Sequence, residues 1–466
     1  MTARRSSIAL WAAVAIGTSL LASPGFGQGG SARVIAWADV APIAPRLEAA
    51  GLNASAFRAY VERTHRENLR RVREGDLDHL VFYLLQSTRL SGAEPIEPAL
   101  SAKSLVLGLD AEAREAFLRG GQPAGLQAPP AVRARIGALL KAIERPGSDV
   151  RLQYFRSLVT TAFPNARQRD EQLTAEYFRV MRFVYEKEFV AQRAPSPAAA
   201  VADLYRSRGL STDTAVEAGF VVQLGLGVIK GLQPDRRIRR VLILGPGLDL
   251  APRTGFLEAP LESYQPWAVI DALVATGLSS LDDLIVTAAD INPRVVQHLA
   301  AARRSPPVLS LVTGIPEAAG VAFSSDYREY FARLGSRISA ATLEPPQSDA
   351  GKHLRKSVSV SAAAAAVLRA ETLDIVTERL DAAPFDLAIA TNMLPYFDDQ
   401  QLALTTANIA AMLAPRGVFL HNELRPILGD FTTAFGLPFE QSRHAVIATV
   451  AGAARLGDSV FLHVKR

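Results

Sequence analysis

The chain has no cysteine. That excludes disulfides, thiolate metal sites, a cysteine nucleophile and a lipidated N-terminal cysteine. Its seven histidines are isolated, with no pair at a ligand spacing such as H-x-x-x-H, so no metal site is expected. It also lacks a block of one charge. The net charge is +5, but the basic residues are scattered apart from short runs such as Arg236, Arg237, Arg239 and Arg240. A nucleic-acid binder concentrates its charge, so nucleic acid is not an expected partner. No internal repeat is present.

What remains is ordinary globular composition, 49% hydrophobic and 21% charged over 466 residues. That length holds two or more domains, each with its own core. Near the start, Arg4 and Arg5 precede an apolar run over 8–22, and Ser23, Pro24, Gly25 and Gly27 follow it. This is the charged, apolar and small-residue order of a signal peptide. The run is shorter than the ~20 residues that span a bilayer comfortably. Residues 1–27 are therefore expected to be an export signal, which would place the protein in the periplasm. The alternatives are an uncleaved membrane anchor and, if the signal does not work, a cytoplasmic protein.

Residues 31–235 read as a helical N-terminal domain. The segment 57–69 is amphipathic at helical spacing, with Asn53 or Ser55 as its cap. Asp76 is expected to cap a separate helix over 77–85. Further helices are expected at 131–144, 149–162, 171–191 and 198–208, divided by Pro and Gly clusters at 120–130 and 194–197. The Tyr and Phe residues of 177–189 read as helix core.

From about residue 239 the texture changes. Short apolar runs at 241–244, 284–288, 373–377, 387–390 and 418–421 alternate with helical segments. Such alternation implies a parallel sheet covered on both faces. The runs 445–450 and 459–464 have only a short Gly-containing link, which reads as an antiparallel hairpin at the sheet edge. Between 301 and 370 lies an insertion with a helix expected over 327–338, Pro345-Pro346, a basic knot from Lys352 to Lys356 and an alanine tract. It reads either as a lid or substrate wall, or as a helical surface decoration.

Two turns carry chemistry. The run 241–244 ends in Gly245-Pro246-Gly247, where glycines let a ligand approach the backbone. The run 285–289 ends in Asp290, a carboxylate placed to accept hydrogen bonds from ribose hydroxyls. A nicotinamide fold would need glycine where Leu250 stands and an acid ~20 residues later. Asp290 lies farther on, and the closing hairpin is foreign to that fold.

Residues 235–466 resemble the class I S-adenosylmethionine-dependent methyltransferases. Gly245, Pro246 and Gly247 stand at that family's glycine-rich first motif. Asp290, followed by Ile291 and Asn292, matches the acid that ends strand two. Glu378 falls near the position that often faces the adenine. The segment 385–398, with Asn392, Tyr396 and Asp398, looks like the fourth strand and its loop, and is closest to the chemotaxis-receptor methyltransferases. The resemblance implies a mostly parallel, seven-stranded α/β sheet with a terminal antiparallel hairpin, preceded here by an all-α N-terminal domain. It implies S-adenosylmethionine as cofactor and an acceptor substrate that the sequence does not identify.

The chain departs from the family at two places. Ile243 stands where an acid is usual, and Asp249 replaces the third glycine. Asp249 either supplies the missing charge for the cofactor's amino group or caps the turn. Asn392 and Tyr396 either line the transfer site or form a packed strand-end turn. His353 and His421 are candidate bases by residue type only. Methyl transfer mainly needs alignment and exclusion of water, so a strong base is not required. The rival reading is an exported, non-catalytic binding protein that keeps the fold.

Overall fold

The computed structural model describes residues 32–90, 92, 94–251, 260–318, 320–348 and 353–466. The expected export signal at 1–27 and residues 252–259, shortly after Asp249, lie outside the described residues. Among the described residues no helix is long and apolar enough to cross a membrane.

The first half is built around one long helix, α1 (Ala54–Gln86). Asn53 caps it, accepting from the Ala56 N–H at 3.1 Å. The break expected at Asp76 does not occur. Gly75 and Asp76 lie inside the helix, and Asp76 is buried. Its carboxylate accepts from Tyr154 Oη and from Asn292 Nδ2. Glycine inside a helix costs about 1 kcal/mol relative to alanine. Here it is needed, because a Cβ on Gly75 would lie 1.9 Å from the Leu210 carbonyl oxygen. The segment 208–214 thus crosses α1 backbone against backbone, and Leu210 N–H donates to Arg71 O at 2.8 Å.

Helices α2 (Pro98–Leu107), α3 (Pro130–Glu144), α4 (Val150–Ala162), α5 (Arg169–Tyr185) and α6 (Pro197–Ser207) follow. Tyr177 and Phe178 are buried in the core, as helical spacing suggests. The region is not purely helical, which corrects the all-α expectation. Ala32–Val34 is a strand, paired antiparallel with Glu378–Leu380. Helix α7 (Val216–Leu232) packs on the sheet, where Gly225 meets Leu420 and Val460. One hydrophobic core runs from Leu84 and Phe155 to Val241 and Leu462.

Among the described residues the main sheet has eight strands rather than seven. They are β1 (Arg240–Leu244), β2 (Ile285–Asp290), β3 (Val321–Phe323), β4 (Leu368–Thr372), β5 (Phe385–Ala390), β6 (Leu413–His421), β7 (Phe439–Val450) and β8 (Leu456–Val464). Their order is β3-β7-β8-β6-β5-β1-β2-β4. Strands β4, β2, β1, β5 and β6 are parallel, and β8, β7 and β3 each run antiparallel to the preceding neighbour. The mostly parallel α/β sheet with its closing antiparallel pair is the one the sequence predicts. The eighth strand, β3, comes from the insertion.

The third parallel strand is β4, five residues before the expected run at 373–377. It lies at the sheet edge, and only Leu368 of its five residues is buried. The insertion also carries a three-stranded antiparallel sheet of Val308–Val312, Leu354–Ser359 and Gln347–Ser348. Its helix is shorter than expected, Ser325–Arg333.

Candidate active site

Strand order reverses between β1 and β5. In an open α/β sheet the crevice beyond that switch point is where ligands bind. Here a cavity lies there, formed by the ends of β1, β2, β4 and β5 and roofed by α1.

Beyond β1, Gly245 and Gly247 take φ of +62° and +78°, a left-handed conformation that favours glycine. Both line the cavity. Gly247 also meets the chain itself. A Cβ there would lie 2.1 Å from Thr214 Oγ1 and 2.6 Å from Thr212 O. The second glycine of the turn therefore makes room for the segment 208–214 as well as for a ligand.

Beyond β2, Asp290 Oδ1 accepts from the Asn292 N–H at 2.8 Å. Asn292 caps the next helix, α9 (Pro293–Arg304), the helix α8 (Gln265–Ala275) having come before β2. Burial pushes the Asp290 carboxyl up to about 7; the Asn292 N–H opposes the shift and nearby Asp76 adds to it. Asp290 is thus a strand-end carboxylate with few donors around it.

Beyond β4, Asp374 is buried. Its oxygens accept from His65 Nδ1 at 3.0 Å and from Asn68 Nδ2 at 3.1 and 3.2 Å, all donated from α1. The bond to Asp374 raises the pKa of His65.

Beyond β5, Asn392 has φ of +62° and lies in a turn that leads into Leu394–Tyr396. Its side chain Oδ1 accepts from Asn422 Nδ2 at 2.7 Å. Tyr396 is buried edge-on against Tyr205, with ring centroids 5.2 Å apart. Its carbonyl accepts from Arg71 Nη2 at 3.0 Å. Arg71 also donates to Arg208 O and Tyr205 O, so one guanidinium ties α1 to the 205–208 segment and to the β5 loop.

The structure brings together Gly245, Gly247, Asp290, Ile291, Asn292, Asn392 and Tyr396 around this one cavity. Three expected residues lie elsewhere. Pro246 is buried in the turn but does not line the cavity. Asp249 turns to the backbone, where its Oδ1 accepts from the Thr214 N–H at 3.2 Å. That bond ties the glycine turn to the segment 208–214 rather than capping the turn from within. Glu378 belongs to the small sheet with Ala32–Val34. The carboxylate at the end of the third parallel strand is Asp374, four residues earlier. It was obscured because the half-exposed edge strand before it carries no apolar run.

Sequence reading also missed Asn68 and the segment 210–214, both of which line the cavity. Helix periodicity marks Asn68 only as one polar residue among many. His353 and His421 are not at the site. His353 is buried with Nδ1 2.7 Å from Thr313 O. His421 stacks on His463 at 5.0 Å, and burial holds its pKa well below the usual imidazole range. Among the described residues no group of His, Asp and Glu could hold a metal ion.

These features describe an α/β protein with its ligand crevice at the sheet's switch point. No family model and no curated protein matches the chain. Solved structures similar to it include the N-methyltransferase NodS from Bradyrhizobium japonicum WM9. That match has 13% identity, covers 53% of this chain and 93% of that one, and has a TM-score of 0.27. Magnesium protoporphyrin IX methyltransferase from Synechocystis PCC 6803 has 9% identity over 59% and 99%, with a TM-score of 0.28. A TehB-like methyltransferase from Corynebacterium glutamicum has 13% identity over 60% and 98%, with a TM-score of 0.26.

Proposed function

We propose that the chain is an S-adenosylmethionine-dependent methyltransferase. The observation that carries this is the placement of two buried carboxylates, Asp290 and Asp374, at the ends of adjacent parallel strands beside a glycine turn. The donor and acceptor chemistry fits the cofactor. Among the described residues, only the Asn292 N–H donates to the Asp290 side chain. A ribose diol supplies the missing donors. Asn68 Oδ1 is buried, lines the cavity and has no partner among the described residues. With Asp374 it forms an acceptor pair for an exocyclic amine.

When bound, the cofactor supplies a methyl group on a positively charged sulfur. Asp290 holds the ribose, and Asp374 with Asn68 holds the base. Gly245 leaves the backbone open to close approach. Its nearest side chain is Met393, which a Cβ on Gly245 would meet at 3.5 Å. Asn392 and Tyr396 line the β5 side of the cavity and would border a cofactor bound there. Helix α1 and the segment 210–214 shield the site from water, which aligned displacement requires.

Titration calorimetry of the chain from residue 28 onward with S-adenosylhomocysteine tests this reading. Binding in the micromolar range is expected in wild type and lost in Asp290→Ala. A folded sample that gives no heat at millimolar ligand would sink the proposal.

A further inference from the structure

A second cavity, about 670 Å³ in volume, adjoins the first. Ser211, Asp213, Asn392 and Tyr396 line both. The volume falls in the range of pockets for small organic ligands, roughly 300–1,000 Å³. Its other walls come from the helical half of the chain, including Phe82 of α1, Ala99 of α2 and Phe183 of α5.

One wall is a built aromatic stack. Tyr396 meets Tyr205 edge-on, and Tyr205 meets Phe183 edge-on at 6.1 Å. The Arg208 guanidinium lies 4.0 Å from the Phe183 ring centroid. Arg208 is in turn fixed by Asp78 at 2.7 Å. Arg71 bonds to the backbone carbonyls of Tyr205, Arg208 and Tyr396. The wall is therefore rigid before any ligand arrives, which lowers the ordering cost of binding.

At the border between the cavities stands a carboxylate, Asp213. His79 Nδ1 lies 3.0 Å from its Oδ1. The Thr212 N–H donates to His79 Nε2 at 3.1 Å. Nε2 is thus an acceptor, and the ring proton sits on Nδ1, close to Asp213 but not aligned with it as a hydrogen bond. The border accepts hydrogen bonds, while the far wall is aromatic.

We infer that this second cavity binds the methyl acceptor, and that the acceptor is a small aromatic molecule bearing a hydroxyl or amine. The ring lies along the Tyr396–Tyr205–Phe183 wall, where offset and edge-on contacts favour an aromatic ligand. The hydroxyl or amine donates to Asp213 at the border; on transfer the methyl–sulfur bond would break as the methyl–oxygen or methyl–nitrogen bond forms, and the acceptor's proton would pass to Asp213. This assignment rests on the methyltransferase reading. It adds that the helical half of the chain selects the substrate.

Ligand-observed NMR with tyramine, catechol and 2-naphthol, with S-adenosylhomocysteine present, tests the inference. The controls are Ala99→Trp and Ala215→Trp, which fill the cavity from different walls. At least one probe is expected to bind wild type and to bind both plugged variants about tenfold more weakly. S-adenosylhomocysteine affinity should stay unchanged in a plugged variant that folds. With S-adenosylmethionine instead, mass spectrometry should detect the methylated probe. Failure of all three probes to bind wild type, or equal binding to wild type and a folded plugged variant, overturns the inference. If S-adenosylhomocysteine alone fails to bind, the methyltransferase reading falls. The probes and plugs then still decide whether the cavity is a ligand site.

Discussion

Asn68 Nδ2 donates to both carboxylate oxygens of Asp374, across 306 positions of sequence. Through this contact the long helix α1 clasps the ligand edge of the sheet. Replacing Asp374 with alanine leaves the Asn68 amide and His65 without their acceptor. Unsatisfied buried donors cost about 1–3 kcal/mol, so the melting temperature of Asp374→Ala should fall. The same change would remove the proposed acceptor for the base, and affinity for S-adenosylhomocysteine should drop about tenfold or more. Unchanged affinity in a folded Asp374→Ala sample would show that the base lies elsewhere.

That clasp also narrows the way in. The first cavity holds about 90 Å³ of free space, room for roughly six to nine waters. Helix α1 roofs that cavity, so easing it away from Asp374 would widen the entry. Loosening the clasp should speed association. In stopped-flow experiments Asn68→Ala is expected to bind S-adenosylhomocysteine faster than wild type, even if the final complex is weaker. Equal association rates would mean that α1 does not gate the site.

The pH dependence follows from Asp290. Burial holds its carboxyl at about 7 in the folded protein, above the ordinary 3.8. The folded state therefore binds more protons than the unfolded state between those values, and this group's contribution to stability declines as pH rises through that window. In the proposed site binding would run the other way, because an ionised carboxylate would accept from both ribose hydroxyls. Affinity for S-adenosylhomocysteine should rise between pH 6 and pH 8, and Asp290→Asn should flatten the curve. Calorimetry in buffers of different ionisation enthalpy should show proton release on binding near pH 7. No release would mean that the carboxyl is already ionised when the site is empty.

The core of the fold was legible because its strands are buried on both faces. The runs at β1, β2, β5 and β6 are continuous and apolar, and they led directly to Gly245, Gly247 and Asp290. The edge strand β4 was not legible, since four of its five residues are not buried. Misplacing it moved the next carboxylate from Asp374 to Glu378. The roof of the site was invisible for another reason. Asn68 and the segment 210–214 reach the cavity only through tertiary contacts with the sheet, and no local pattern records such contacts. The bond from the Thr214 N–H to Asp249 is likewise a contact between distant segments that no local pattern records.

Gly75 tests how much the site depends on that hidden segment. It lies within α1, where helix propensity alone makes alanine better by about 1 kcal/mol. The structure reverses the sign. A Cβ on Gly75 would sit 1.9 Å from Leu210 O, and one on Gly209 would sit 2.2 Å from Gly75 N. Both contacts are backbone to backbone, so no flexible side chain can give way. Gly75→Ala must push the 208–214 segment away from α1 or distort the helix. The segment is held on its other side by the close contact of Thr214 with Gly247, so the strain passes to the glycine turn. Gly75→Ala should therefore lower the melting temperature and weaken S-adenosylhomocysteine binding, although Gly75 does not line the cavity. Gly137, in helix α3, provides the control, since a Cβ there meets nothing within 4 Å. Gly137→Ala should leave binding unchanged and stabilise the fold slightly. If Gly75→Ala behaves like Gly137→Ala in thermal melts and titrations, the close crossing does not exist in solution.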